Sequence, residues 1–414
     1  MLLCQQKFST DYTALLETLA HTDNLLLIQD LDGVCMPLVN DPLTRRLSPD
    51  YLRAAHALTP EFYVLTNGEH IGRRGINHLV DKALQQSGHG QYLPGLAAGG
   101  VQWQDHFGSV NHPGVSQAEL DFLLSLAARF RTALQATLSS APFDLAASDV
   151  TAILDAAILD NPVSPTININ SCFSALQQDS DHIRRLQEAT QSILMAALTE
   201  AEQQGLADSF FIHYAPNLGQ GPDGERVKWA TSADLGTTDF QFMLKGAVKE
   251  VGVLVILNRF YHRISGHYPL GADFNARQAP RDHSALLQLA RDHFDPALMP
   301  RVVGVGDTLT SQPDPQHPAT RLRGGSDRGF LSLVQALGEA FQSDNAVLFV
   351  DSSGGELTRP AIDPRRLASD PWQAAAGITD ADDPLHLNFV FPGGYQQYTA
   401  FFCSLADKRA PSGE

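Results

Sequence analysis

The chain has 414 residues, 43% hydrophobic and 18% charged, a profile that excludes a disordered tract and leaves room for two sizeable cores. A formal charge of −17 excludes a general nucleic-acid binder, which needs a basic face, but not an anionic substrate held by a metal and a few local cations. Cys4, Cys35, Cys172 and Cys403 lack metal-site spacing and read as reduced thiols of a cytoplasmic protein, with no signal peptide and no apolar run long enough to span a membrane.

Residues 1–24 predict an amphipathic helix carrying Leu15, Leu16 and Leu19 on one side. The run Leu25-Leu26-Leu27-Ile28-Gln29 then predicts a buried strand that stops at Asp30-Leu31-Asp32-Gly33, two acids one residue apart followed by a glycine. A loop at 37–49 leads to a helix near 50–58, capped by Ser48 or Asp50. A second strand, 62–65, ends at Thr66-Asn67-Gly68. A helix over 72–84 and a strand with a turn over 95–103 complete a β-α-β-α-β rhythm, the pattern of a parallel sheet.

The character changes over 110–240, where Ala- and Leu-rich helices (117–138 and 181–205) alternate with Pro/Asn/Ser segments. A strand at 210–214, a polar loop at 216–224 and Val227-Lys228-Trp229 suggest a hairpin, so this stretch reads as an inserted α+β module. From 239 the α/β rhythm returns, with a strand over 240–244 and a helix over 245–260 that only its length favours. The run 301–306 again ends in an acid, Asp307. A Pro-rich loop then leads to a helix beginning near Ser326-Asp327, a strand at 346–350 and a candidate edge strand at 385–391.

Several strands of one sheet are thus expected to end in polar residues, and ligands of open α/β sheets bind just outside those carboxyl ends. Asp30 and Asp32 would repel each other without a cation or proton, and oxygen-only ligands suit magnesium. Together with Thr66, Asp307 and a lysine at 245 or 249, they supply a nucleophile, an acid/base, a hydroxyl donor, a cation and a metal carboxylate. Phosphoryl transfer requires those parts and little else.

In order and placement, Asp30-Leu31-Asp32-Gly33-Val34, Leu65-Thr66-Asn67, the lysine and Gly306-Asp307 resemble the four motifs of the haloacid-dehalogenase superfamily. The 32–66 interval is too short for a cap, whereas 66–249 holds the whole insert, as in the sucrose-, trehalose- and mannosylglycerate-phosphate phosphatases. The segments GLAAGGVQWQD, HYAPNLG, GTTDFQFML, VGVGDTLTSQ and RGGSDRGFL are most similar to the cyanobacterial glucosylglycerol-phosphate phosphatase family of salt tolerance. The resemblance implies a Rossmann-like parallel core (1–109 and 241–414) with an α+β cap (110–240) that reads the substrate. It also implies Mg²⁺-dependent hydrolysis of glucosylglycerol 3-phosphate, a small sugar phosphate, in osmoprotectant synthesis, with the matching synthase as a candidate partner and no nucleic acid or membrane. Sucrose, trehalose or glucosylglycerate phosphate as substrate, or a silent sugar-phosphate sensor, are the alternatives.

Residue by residue, the resemblance implies that Asp30 is the nucleophile and Asp32 the acid/base. Thr66 with the backbone of Asn67 and Gly68 would bind the phosphoryl group, and Asp30, the Asp32 carbonyl and Asp307 would hold magnesium. Lys249 is preferred to Lys245 because Val251, Leu254 and Leu257 follow it at helical spacing. Ser311 stands where the family has a second acid, and Asp327 is the candidate displaced equivalent.

Other residues have ordinary structural explanations. Glu69, His70 and Arg73 read as a solvated helix start, Arg45 and Arg46 as a solvated pair, His262 and His267 as surface. Trp103 and Trp229 read as core, and the 217–224 loop and Thr237-Thr238 as hairpin polar groups.

Overall fold

All five residues of the strand Leu25–Gln29 are buried, as a central parallel strand covered on both faces requires. Leu25 and Leu27 face one core with Leu15, Leu52 and Phe402; Leu26 and Ile28 face another with Leu254 and Phe330. The structure is a computed structural model that describes residues 2–176, 179–222, 224–232 and 234–410. In it this strand lies inside an eight-stranded sheet ordered Phe389–Phe391, Ala346–Val350, Arg301–Gly306, Leu25–Gln29, Phe62–Leu65, Gly95–Ala97, Gln102–Gln104, Val110–Asn111. The first six strands run parallel and the last two antiparallel. Leu27 pairs with both Val303 and Phe62, so the carboxyl ends of three adjacent strands bring residues 30, 66 and 307 to one edge.

Helices cover both faces. Pro49–Ala57 starts where expected, with Ser48 capping the Asp50 amide. The helix after Thr66 starts later than the sequence suggests, at Ile76–Leu84. Lys249–Ser265 is helical despite its β-branched residues, because both its faces are packed. A Cβ on Gly252 would fall 2.5 Å from Leu65 Cδ1, so glycine lets this helix lie close on the strand that delivers Thr66. Phe389–Phe391 is the edge strand expected, and the final helix Gly394–Arg409 packs on the same face as Pro49–Ala57.

The insert carries its own four-stranded sheet, ordered Ile158–Leu159, Thr166–Asn168, Asp239–Leu244, Phe210–Ala215 and antiparallel throughout. Gln117–Leu138, Ala147–Ala157 and Ser180–Gln203 form its helical layer, the first opened by a Ser116/Glu119 capping box. Two sequence boundaries are corrected. Asp239–Leu244 was expected to reopen the core but pairs wholly within the insert, and Val110–Asn111 extends the core sheet past 109. The reason is packing: Phe242 meets Phe122, Phe130 and Phe210, all insert residues, and strand propensity cannot show which sheet a strand joins.

The polar loop after 216 is a hairpin, Asn217–Gly221 with Gly224–Val227; Asp223 lies outside the described residues. The Pro-rich loop after Asp307 contains another, Thr310–Pro313 with Arg321–Gly324. Among the described residues no helix is long and apolar enough to cross a membrane.

Candidate active site

Asp30 is the first residue past its strand, and its backbone amide still donates to Val305 O at 2.9 Å. Its Oδ1 accepts the Leu31 amide at 2.8 Å, which leaves Oδ2 to meet Lys249 Nζ at 2.5 Å. Lys249, the first residue of its helix, also donates to Asp327 Oδ1 at 2.7 Å. Asp327 Oδ2 in turn accepts the amides of Asp307 and Thr308, each at 2.9 Å. Of the two candidate lysines only Lys249 reaches the acids; Lys245 pairs at 2.6 Å with Asp208, whose side chain is 95% exposed.

Asp307 is buried, and neither of its carboxylate oxygens has a hydrogen-bond partner. Oxygens of Asp30, Asp307 and Asp327 lie within 4.8 Å of one another. Burial, then the Asp327 and Asp30 charges, pushes Asp307 well above the carboxylate range. Burial raises Asp30 to about 7 against the pull of Lys249. Burial pulls Lys249 down, but Asp30 and Asp327 outweigh it and hold the ammonium above its ordinary value. Three buried carboxylates on one ammonium are one cation short, and the bare oxygens of Asp307 mark where it is missing. An all-oxygen donor set of this kind fits magnesium. Gly33 is required beside the cluster: its φ is +80° and a Cβ would fall 2.2 Å from Asp307 Oδ2.

Asp32 extends toward the cavity, its Oδ2 accepting from Arg45 at 2.9 Å. Arg45 is buried, not solvated as expected; its Nε donates to Pro42 O at 3.0 Å and its other amino group to Arg74 O. The sequence could not show this, because the loop that folds Arg45 back on Asp32 has no periodic pattern. Thr66 is buried, with Oγ1 accepting the Gly68 amide at 3.2 Å. Asn67 Nδ2 reaches His213 Nε2 on the insert strand at 2.9 Å, and His213 Nδ1 lies 2.8 Å from Glu225 Oε1. An ionised Glu225 only accepts, so the network assigns the His213 proton to Nδ1 and the Asn67 contact to a donated amide hydrogen.

Glu69 and His70 are also corrected: both are buried beneath the Thr66 loop. Glu69 takes the Val163 amide and the Ser164 hydroxyl on Oε1, each at 2.8 Å, and Gln102 on Oε2 at 3.0 Å. Burial still raises it to about 7, and burial lowers His70 to about 4. Arg73 is exposed as expected. His267 is exposed and His262 stacks on Tyr268; Trp103 and Trp229 are half-buried beneath Arg259 and Arg184. None of these four lines the cavity.

A cavity of about 150 Å³ lies between core and insert. Asp30, Asp32, Thr66, Asn67, Gly68, Lys249 and Asp307 line its floor, so every expected site residue except Asp327 borders it, and Asp327 stands behind Lys249. Its other wall was not foreseen: Asn161, Asn168, Asn170, Asp239 and Gln241 from the insert, and Arg359 from the second half of the core. A signal was present. In Thr166-Ile167-Asn168-Ile169-Asn170 and Asp239-Phe240-Gln241-Phe242, apolar side chains alternate with polar ones, a period of two that turns one face to the helices and the other outward.

A parallel α/β sheet with an Asp-x-Asp pair, a threonine, a lysine and a buried acid cluster at adjacent strand ends defines a haloacid-dehalogenase-type protein with an inserted α+β unit. The model of the glucosylglycerol-phosphate phosphatase family matches residues 24–406, and the chain belongs to that family. A glucosylglycerol-phosphate phosphatase of Synechocystis sp. is 49% identical over 417 residues, covering 99% of each chain. Among solved structures, Aspergillus fumigatus trehalose-6-phosphate phosphatase aligns at 10% identity and TM-score 0.41, covering 97% of this chain and 99% of that one. The C-terminal domain of the Candida albicans trehalose-6-phosphate phosphatase aligns at 10% identity and TM-score 0.44, covering 97% and 98%.

Proposed function

We propose that the chain hydrolyses glucosylglycerol 3-phosphate to glucosylglycerol and phosphate, with Asp30 as nucleophile. The observation that carries this is Asp30 itself: one oxygen fixed by a backbone amide, the other by a buried lysine, at the floor of a cavity that Asp32 and Thr66 also line.

An Asp30 oxygen attacks phosphorus while the bond to the sugar-bearing oxygen breaks, and Asp32 delivers the proton that oxygen needs to leave. Asp32 then takes a proton from water as the water oxygen attacks phosphorus, freeing Asp30 as a carboxylate. Arg45 orients Asp32 through one oxygen and leaves Oδ1 for the proton. Thr66 Oγ1 and the Asn67–Gly68 backbone donate to the phosphoryl oxygens, and Lys249 offsets the charge gathered there. Asp30, Asp307 and the Asp32 carbonyl would hold magnesium, which supplies further neutralisation of phosphoryl charge. Asp327, occupied by Lys249 and two amides, keeps Lys249 and the Asp307 backbone in position. The insert acts as the cap, excluding water and reading the sugar.

The four cysteines are free thiols, which supports a cytoplasmic setting, and the synthase that supplies the ester is the partner to test. Phosphate release from glucosylglycerol 3-phosphate, with and without Mg²⁺ and beside sucrose and trehalose phosphates, tests the reading. Magnesium-dependent preference for the glycerol glycoside is expected. Equal activity on all esters would remove the named substrate, and silence on all with binding retained would leave a sensor.

A further inference from the structure

We propose that His213, Glu225 and Asn217 of the insert are positioning residues, a hydrogen-bonded strut that fixes the Thr66–Gly68 loop and the Gly325–Asp327 turn of the core together. The inference rests on the phosphatase reading above and extends it to groups outside the cavity: none of the three lines it.

The contacts are continuous from one loop to the other. Asn67 Nδ2 donates to His213 Nε2 at 2.9 Å, and His213 Nδ1 donates to Glu225 Oε1 at 2.8 Å. The other Glu225 oxygen accepts the Tyr214 amide and Asn217 Nδ2, each at 3.0 Å. Asn217 Oδ1 then accepts the amides of Gly219 at 2.9 Å and Gly325 at 3.1 Å, and its carbonyl accepts Thr310 Oγ1 at 2.6 Å. All three side chains are buried. At the far end glycines let backbone meet backbone: a Cβ on Gly219 would fall 2.3 Å from Arg323 O, and one on Gly324 2.2 Å from the Gly219 nitrogen.

What the strut joins gives it a role beyond packing. At one end, the core holds the Thr66 and Gly68 carbonyls through the Gly99 and Ala98 amides, at 3.0 and 2.6 Å. The side chain of Asn67, between them, is held from the insert instead. At the other end, Gly325 lies two residues before Asp327, which grips Lys249 and the amides of Asp307 and Thr308. One element of the insert thus fixes the loop that receives the phosphoryl group and the turn that holds the lysine. A satisfied buried network of this kind rigidifies what it touches. His213 is the selective member, because a neutral imidazole accepts on one nitrogen and donates from the other across its own width.

The test reads both ends of the strut, with turnover and without it. Amide hydrogen exchange of the full chain should be about tenfold faster over 66–68 in His213→Ala and over 325–327 in Asn217→Ala, with the strand Leu25–Gln29 unchanged in both. With Mg²⁺, kcat should fall about tenfold in each variant, on sugar-free p-nitrophenyl phosphate as on glucosylglycerol 3-phosphate, and KM should change little. His213→Gln, whose amide oxygen stands in for Nε2, should recover kcat to within about twofold of the parent. His213→Asn, which reaches only Glu225, should not recover it and should show the faster exchange over 66–68. These two variants keep a polar side chain in the buried site and serve if His213→Ala does not fold. Unchanged exchange at either loop, unchanged kcat, a KM rise confined to the sugar ester, or equal losses in the glutamine and asparagine variants would each overturn the proposal. Faster exchange as expected, in a chain that hydrolyses no ester, would instead overturn the function proposed above and leave the positioning of the two loops standing.

Discussion

The two walls of the cavity treat polar groups in opposite ways. On the core floor, Asp30 and Lys249 are satisfied by each other, by Asp327 behind them and by the backbone, while the buried Asp307 oxygens stay bare. On the insert wall, Asn170 and Gln241 carry unpartnered buried oxygens and the amides are neutral. A floor locked by charge suits a reaction centre, which needs fixed geometry, whereas a wall of open amides suits recognition of hydroxyls. The contrast implies that floor variants change kcat or stability, while wall variants change which sugar is bound.

The largest expected effect is on the floor. Asp30→Asn should lower kcat on the order of 10⁴-fold, because the nucleophile is gone and its neighbours cannot substitute. Its thermal melt should be at or above the parent's, since a buried charge in the acid cluster is removed. Steady-state kinetics and calorimetry check both halves.

Lys249→Met comes next. It leaves Asp30 and Asp327 buried without their shared cation, and unfolding in denaturant should show a loss of about 3 kcal/mol with activity abolished. An insert-wall variant losing as much stability would erase the contrast between the two walls.

The Glu69–His70 pair beneath the Thr66 loop gives a pH signature. The folded pKa of Glu69 is about 7 against an ordinary 4.5, so its contribution to stability is complete below 4.5 and lost as pH rises to 7. His70 is held near 4 against an ordinary 6.5, so its contribution is complete above 6.5 and lost as pH falls to 4. Each is worth about 3 kcal/mol, and the two oppose each other over most of that window. His70→Gln should unmask the Glu69 slope, with stability falling as pH rises from 4.5 to 7 in melts across that window.

Much of this was legible in sequence, and unevenly. Asp30, Asp32, Thr66 and Asp307 stand at the ends of apolar strands, and adjacent parallel strands bring such ends together. Lys249 was separable from Lys245 by the apolar spacing behind it. Arg45 was misread because its burial depends on an irregular loop folding back to Asp32 and Arg74. Glu69 and His70 were misread because the Ile76 helix starts later than expected, leaving them in a turn covered by the insert at Val163 and Ser164. The period-two polar face of the insert was present in the sequence but gained meaning only once Asp239–Leu244 joined the insert sheet.

The smallest effect expected concerns Arg45. Arg45→Lys keeps the charge but loses the fork that grips Asp32, Pro42 O and Arg74 O together, and kcat should fall about tenfold with KM little changed.

The most direct test of the central claim is the identity of the phosphorylated residue. Turnover of glucosylglycerol 3-phosphate by Asp32→Asn, in which hydrolysis of the phosphoenzyme should be slow, is quenched in acid and the peptides are analysed by mass spectrometry. The account predicts one phosphoryl group on Asp30. Phosphate on another residue, or full turnover by an Asp30→Asn chain, would contradict it.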